Sequence, residues 1–445
     1  MRSLALTTPA AGKLPAGPSS KLWETVRYLY DPVGTILSLG RKYGDLFTYP
    51  TFVRPLVVAG APELIRAIFA ADPDIFAPFS VEMSAPVLGR GSVLLQHGAK
   101  HKRARKLLQP PFHGARMRAH AQIMQQVTLA RLAQAPRGRR FPVEDLFRDI
   151  SLDVIIRTIF GVGFAADGED RGEAWRRAVL DSVAAFSPLI MMFTFLRREL
   201  GGFGPWAKFR RLLGAVHALL RGAIAARRDA PPGDDILGLL LAARDEEGAP
   251  MEEQEMVEQL YTMVIAGHET TATALAWAVD EVYRQPALLT RLRDELGSGD
   301  VDTLTRAPLL DAVCAETLRL HPLIPTVGRM LLKPFELGGY RLPEGVGVGA
   351  CVSLAHCNET VYPEPHRFNP ERFLGGASFS PYEYLPFGGG ARRCIGAAFA
   401  LYEMKIVLGT ILLRAKLTPA SRERARTGAR AATVGPRGGV PITLA

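Results

Sequence analysis

The ten residues Phe387-Gly-Gly-Gly-Ala-Arg-Arg-Cys-Ile-Gly396 set one cysteine behind three glycines and just ahead of a helical pattern. Glycines permit a tight backbone turn and let the chain approach a flat cofactor closely. The apolar run Ala397–Leu413, AAFALYEMKIVLGTILL, reads as a helix and puts Cys394 near a helix N-terminus. Backbone N–H groups and the helix dipole there favour a thiolate over a thiol. A buried structural cysteine in a glycine-rich turn is the plain alternative. Phe-x-x-Gly-x-x-x-Cys-x-Gly would, however, arise by chance only roughly 0.002 times in a chain of this composition. Cys314, Cys351 and Cys357 have neither a glycine frame nor a ligand-spaced partner and read as structural.

Outward from this segment the texture is mostly helical. Glu252–Arg284 is the longest helical pattern, and Arg306–Leu320 is another, with Pro308 tolerated in its first turn. Val33–Tyr43 also reads as a helix, followed by two β-like runs, Leu46–Tyr49 and Pro55–Ala59. Pro231–Asp235 is a loop that ends in a helix cap. After Pro322 turn residues alternate with short apolar pairs, which predicts a small sheet, and Thr433–Ala445 reads as a hairpin turning at Gly438-Gly439. The expectation is one mainly α domain over residues 1–445 with a small β region.

The bulk composition narrows the function classes. The 445 residues are 48% hydrophobic and 22% charged, without repeats or low-complexity tracts, which excludes a solenoid or a disordered chain. Lys+Arg 54 against Asp+Glu 44 gives a net charge of +10. Nucleic acid, an anionic membrane and an acidic protein are the three common partners of such an excess. Bases and acids are mixed along the chain, so nucleic acid ranks last. Four cysteines without CxxC spacing suit a reducing compartment. Without a signal-peptide pattern or a run of ~20 apolar residues, a cytoplasmic protein with no transmembrane segment is expected.

The sequence resembles the cytochrome P450 family over nearly its whole length. The landmarks follow in the family's order: Ala266-Gly-His-Glu-Thr-Thr271, Glu316-x-x-Arg319, Pro370-Glu-Arg-Phe373, then the Cys394 segment. The resemblance implies a mainly α cytochrome P450 fold holding haem b (iron protoporphyrin IX) between two helices. Cys394 would be the metal ligand, framed by Phe387 and Gly396. A thiolate on haem iron pushes electron density through the metal and favours O–O cleavage.

The remaining landmarks acquire roles in this frame. Gly267 costs a helix about 1 kcal/mol relative to Ala, so it needs a packing or functional reason. Ala266 and Thr270 would border the haem; a Thr hydroxyl bonded one turn back bends the helix and opens room for O2 and water. Thr270 would hold reduced dioxygen and its water by hydrogen bonds, while Glu269 carries protons inward from solvent. A packing threonine and a surface carboxylate are the bland alternatives, and His268 reads as structural or exposed. Glu316 and Arg319 share a helix face and, with Arg372, would form a scaffold network. By resemblance His101, Arg105, Arg329 and Arg392 look like ligands of the haem propionates; an arginine's planar fork suits carboxylates. Lys102, Arg103 and Lys106 read as either a solvated face or a docking patch for an acidic electron donor.

Family topology also gives a candidate substrate pocket. Phe79, Met83, Val87 and Leu88 precede the haem helix, and Met263 and Ala266 lie on the oxygen-side helix. Thr326, Val327, Ala432 and Thr433 complete it, with Ile190–Leu196 read as a lid or as ordinary core. The implied activity is monooxygenation of an apolar terpenoid, steroid or fatty acyl molecule. O2 would be the co-substrate, with NAD(P)H electrons arriving through a ferredoxin and ferredoxin reductase. A monomer is expected. A peroxygenase or haem-thiolate isomerase is the rival enzyme class, which Glu269-Thr270 argues against; a non-enzymatic haem sensor is the third reading.

Overall fold

The structure is a computed structural model that describes residues 13–79, 81–112, 116–161, 169–185, 197, 201–228, 235–376, 378–421, 423–430 and 433–445. In chain order the first helices are α1 (Lys21–Tyr30), α2 (Pro32–Tyr43), α3 (Pro62–Ala70), α4 (Val81–Leu88), α5 (Gly98–Leu108), α6 (Arg116–Gln134), α7 (Val143–Phe160) and α8 (Glu169–Ala184). They are followed by α9 (Pro205–Arg228), α10 (Ile236–Ala242), α11 (Glu253–Tyr283), α12 (Pro286–Leu296), α13 (Val301–Arg306), α14 (Pro308–Leu320), α15 (Val352–His356) and α16 (Ala397–Arg414). Short acidic caps start several of them: Asp31 accepts from the Gly34 amide, and Asp235 from that of Gly238. At 31 residues, α11 runs about 46 Å. From Thr271 to Val282 every residue of α11 is buried, with α7 and α16 packed against it.

The main sheet joins β1 (Leu46–Pro50), β2 (Pro55–Ala59), β3 (Phe76–Pro78), β5 (Thr326–Leu331) and β8 (Gly347–Cys351) in the order β1-β2-β8-β5-β3. Only β2 and β8 pair in parallel. A hairpin of β6 (Phe335–Leu337) and β7 (Tyr340–Leu342) turns at Gly338-Gly339. One large apolar core fills the helical region, and a second lies on one face of the sheet. Among the described residues no helix is long and apolar enough to cross a membrane.

Two expectations are corrected. Arg306 ends α13, and α14 begins afresh at Pro308, because a proline fits the first helical position but bars continuation from Ala307. The C-terminal segment is not a hairpin on itself, although Gly438 and Gly439 do turn it at φ 78°. Strand β11 (Val434–Pro436) pairs with β10 (Thr427–Ala429), while β12 (Pro441–Leu444) pairs with β4 (Arg140–Pro142) and β9 (Leu417–Pro419). A turn signal fixes a change of direction, not which partner takes the strand beyond it.

The Glu316–Arg319 pair is fully buried. Arg319 donates to Glu316 Oε2 at 2.6 Å and Oε1 at 2.9 Å, to the His356 carbonyl at 2.7 Å and to that of Pro365 at 2.8 Å. Glu316 also accepts from the Asn369 amide and from Arg372 Nε. His356 extends the network: its Nδ1 bonds the Arg319 carbonyl, and its Nε2 accepts from the Leu385 amide. Burial pushes this imidazole down to about 3, so it stays neutral and can accept that bond.

Two outcomes follow from these buried groups. Glu316→Gln leaves Arg319 without its counter-charge and is expected to cost ~3–5 kcal/mol in urea unfolding; a loss of ~1 kcal/mol or less would mark an ordinary surface-type pair. Separately, burial raises the Glu403 carboxyl, bonded to Ser151 Oγ, from 4.5 to about 8. The folded chain keeps a proton that the unfolded chain releases, so this group weakens folding progressively as pH rises from 4.5 to 8. Glu403→Gln keeps a neutral group there, and its Tm relative to wild type is expected to be higher at pH 8 than at pH 5. A pH-independent difference would mean that Glu403 titrates normally.

Candidate active site

The thiolate segment is irregular backbone held by its own turns. Gly388 and Gly390 have φ 65° and 64°, a region that side chains with a Cβ rarely adopt. The Cys394 amide donates to the Phe387 carbonyl at 3.0 Å, and the Gly388 amide to that of Leu385 at 2.9 Å. The cysteine is solvent-accessible, and α16 starts three residues later behind Gly396. Protein walls packed around it desolvate and raise its thiol, although one side stays open, while the Gly396 amide and the charges of Arg105 and Arg393 pull it down. Net, the thiol lies above its ordinary value.

Three arginines and a histidine converge beside it. His101 is buried on α5, and Arg105 lies one turn on. Arg329 is buried on β5, where it donates to the Ile68 and Gly389 carbonyls, with its Nε unpartnered. Arg392 bonds the Gln96 carbonyl. Burial, then the charges of Arg392, Arg105 and Arg329, push His101 down to about 4. Burial likewise lowers Arg329 and Arg392 to about 10. Among the described residues none of the four has a carboxylate partner, which leaves the cluster short of negative charge.

The α5 face with Lys102, Arg103 and Lys106 is different. Lys102 pairs with Asp74 at 2.9 Å, Lys106 with Glu246 at 2.8 Å, and Arg103 with Asp245 at 2.6 Å and Glu255 at 3.0 Å. Of the two readings, a docking patch or an ordinary charged face, these ion pairs favour a face whose charge is met within the fold.

On α11 the landmark residues divide by direction. Thr270 Oγ1 donates to the Ala266 carbonyl at 2.7 Å, and Ala266 is exposed in mid-helix. Gly267 faces elsewhere: a Cβ on it would lie 3.3 Å from Ile155 on α7, which makes it a helix-packing glycine. His268 is buried and bonds the Val264 carbonyl. Glu269 is clamped by Arg430 at 2.8 Å and Arg148 at 3.3 Å. Burial pushes its carboxyl upward, but the two arginines outweigh that and hold it below its usual range. Arg430 also pairs with Glu144 at 3.3 Å, and both arginines line a cavity of about 370 Å³ with Glu144, Asp145 and Arg437. Sequence reasoning missed Arg148, Arg430 and His356. Each is an isolated residue whose role depends on partners far along the chain.

The predicted substrate residues do not share one surface. Val327 and Arg329 point to one face of β5, Val327 lying 3.5 Å from where a Cβ on Gly388 would be. Thr326 points to the other, its hydroxyl on Cys351 Sγ, and Phe79 lies against Gly328 and Gly347 on that same face. Val87 is buried in the helical core with Leu88 packed against it, whereas Met83 and Met263 are half-buried. Thr433 lies next to Val434, whose amide bonds the Leu323 carbonyl ahead of β5. Ala432 and Ile190–Leu196 lie outside the described residues.

A family model described as Cytochrome P450 matches residues 30–434. Cytochrome P450 135B1 of Mycobacterium tuberculosis is 36% identical over 422 residues, covering 92% of this chain and 87% of that protein. Cytochrome P450 137 of the same organism is 33% identical over 423 residues, covering 94% and 86%. Among solved structures, retinoic acid bound cyanobacterial CYP120A1 aligns with a TM-score of 0.83 at 24% identity, covering 97% of this chain and 99% of that one. The cytochrome P450DA heme domain aligns at 0.82 and 24%, covering 97% of each. With landmark motifs, architecture and relatives in agreement, this chain belongs to the cytochrome P450 family of haem-thiolate monooxygenases.

Proposed function

We propose that the enzyme hydroxylates an apolar small molecule of terpenoid, steroid or fatty acyl type, with Cys394 as the iron ligand. As a cytochrome P450 it uses haem b, O2 and NAD(P)H-derived electrons delivered through partners. The balance is RH + O2 + 2H⁺ + 2e⁻ giving ROH + H2O. The observation that carries the residue assignment is the cluster of three arginines and a neutral histidine donor beside Cys394. Among the described residues His101, Arg105, Arg329 and Arg392 have no carboxylate partner, and two haem propionates would supply the missing charge. Coordination to iron would hold Cys394 as a thiolate. Phe387 and Gly396 frame that ligand.

Bound haem supplies the metal at which O2 is reduced and one oxygen atom is passed to the substrate. The protein's part is protons and position. With its own proton on the Ala266 carbonyl, the Thr270 oxygen is left as an acceptor, which fixes a water on the exposed side of α11. Glu269 rests ionised between Arg148 and Arg430; swinging off one arginine lets it take a proton from the solvent cavity that both line. Met263 and Ala266 on α11 and Val327 on β5 are the apolar side chains proposed to meet the substrate. Electrons come from a ferredoxin and its reductase. Arg393, exposed beside Cys394 with no described carboxylate partner, offers their docking charge in place of the neutralised α5 face. The setting is a cytoplasmic monomer.

Thr270→Ala is expected to keep its haem and its rate of NAD(P)H consumption while product falls and peroxide accumulates. A fully coupled variant would remove Thr270 from proton handling. Glu269→Gln is expected to lower turnover by about 10²-fold, the order that general acid–base groups contribute, and to enlarge the solvent isotope effect. Unchanged turnover, or peroxide-driven turnover above the partner-driven rate in wild type, favours a peroxygenase instead.

A further inference from the structure

The net charge of +10 has no home in the site, since the basic face of α5 is neutralised and the cluster at Cys394 is turned to the cofactor. A different surface combines unpaired charge with exposed apolar side chains. Five of the ten large hydrophobic residues exposed among the described residues lie on the ten-residue helix α1. Leu22, Trp23, Val26, Leu29 and Tyr30 are 68, 61, 50, 44 and 63% exposed. Their spacing of one, four, seven and eight residues from Leu22 makes one helical stripe.

The helix is docked through its polar side. Glu24 is buried and paired with Arg27, and Arg27 reaches Ser38 on α2 at 2.6 Å. The Tyr49 hydroxyl donates to the Glu24 carbonyl at 2.8 Å, and Tyr28 packs on the Tyr49 ring. These contacts fix the rotation of α1, so the stripe cannot turn inward.

The chain flanking α1, from Lys13 to Asp45, carries four exposed bases against one exposed acid, Asp45. Lys13, Lys21, Arg41 and Lys42 are exposed with no ion pair among the described residues, and Arg437 lies over the Tyr30 ring at 3.9 Å. The two acids between Lys13 and Tyr43 are already engaged. Glu24 holds Arg27, while Asp31 caps α2 and accepts from the Thr427 hydroxyl.

We infer that α1 seats the enzyme peripherally on the surface of an anionic lipid bilayer. Leu22, Trp23 and Val26 enter the headgroup–acyl boundary while the lysines and arginines meet lipid phosphate. Trp and Tyr with a basic rim suit that boundary. A ten-residue helix cannot span the hydrocarbon layer, which needs ~20 residues. A second copy fits less well: self-association would set like charges against each other, and a helix of about 15 Å offers far less than the ~800 Å² per partner of a stable interface.

Haem-loaded full-length protein, mixed with phosphatidylglycerol/phosphatidylcholine vesicles or with phosphatidylcholine alone, tests this by co-sedimentation. Binding is expected to the anionic vesicles only and to weaken with salt. Leu22→Ser/Trp23→Ser/Val26→Ser keeps every charge, and its partitioning is expected to fall about tenfold or more. Its haem content and turnover in solution are expected to match wild type, so a failed activity assignment is distinguishable from a failed membrane assignment. Equal binding by the triple variant would reduce the effect to general electrostatics and overturn the inference, as would no binding at low salt. A concentration-dependent dimer that the variant abolishes, or a Trp23 shielded from aqueous quencher without lipid, would mean that a second copy or the chain's own first residues cover the stripe.

Discussion

A single guanidinium anchors the region around the thiolate. Arg319 is wholly removed from solvent, yet its charge meets a carboxylate and two backbone carbonyls, from His356 and Pro365. The described chain from Cys357 to Gly396 has no strand and no α-helix, only short 3-10 turns. Without ladder hydrogen bonds such a stretch needs another way to satisfy and fix its backbone. Arg319, Glu316 and His356 provide it, reaching from α14 to Asn369, Arg372 and Leu385. Leu385 lies two residues before Phe387, so the buried charge sets where the cysteine turn begins. Such a network is poor evidence for net stability, because desolvation offsets much of its attraction. Its value lies in permitting only one arrangement.

Basic residues have opposite fates on neighbouring faces of α5. Lys102, Arg103 and Lys106 find carboxylates in the fold, whereas His101 and Arg105 join Arg329 and Arg392 in a cluster with none among the described residues. Like charges gathered out of water disfavour the folded chain until an anionic group joins them, so cofactor binding and stability are linked. Glu269 is the reverse case, a carboxylate held by two arginines at the edge of a solvent cavity. Its proton traffic therefore depends on charges from α7 and from the segment after β10, not on α11 alone.

The helices and the thiolate turn were legible because their causes are local. Proline at a helix start, an aspartate cap, apolar periodicity and glycines at positive φ act over a few residues. What the sequence left open shares the opposite origin. Gly267 stands among the oxygen-side residues in sequence but packs on Ile155, because helical rotation over one residue turns it by about a quarter circle. Thr326 and Val327 are adjacent, and strand alternation sends them to opposite faces. Arg430 lies 161 positions from the carboxylate that it clamps, and no local pattern encodes such a pairing.

By itself the sequence determined the mainly α class, the cysteine behind its glycine turn, the Glu316–Arg319 spacing and the placement of Glu269-Thr270 within a long helix. Those are properties of residues a few positions apart, set by backbone geometry and side-chain type. Only the tertiary structure decided which cations stay without a carboxylate, which arginines govern Glu269, and that α1 turns its apolar stripe outward. Each depends on the neighbour that another part of the chain supplies, and burial of a charge is a property of that assembled surrounding.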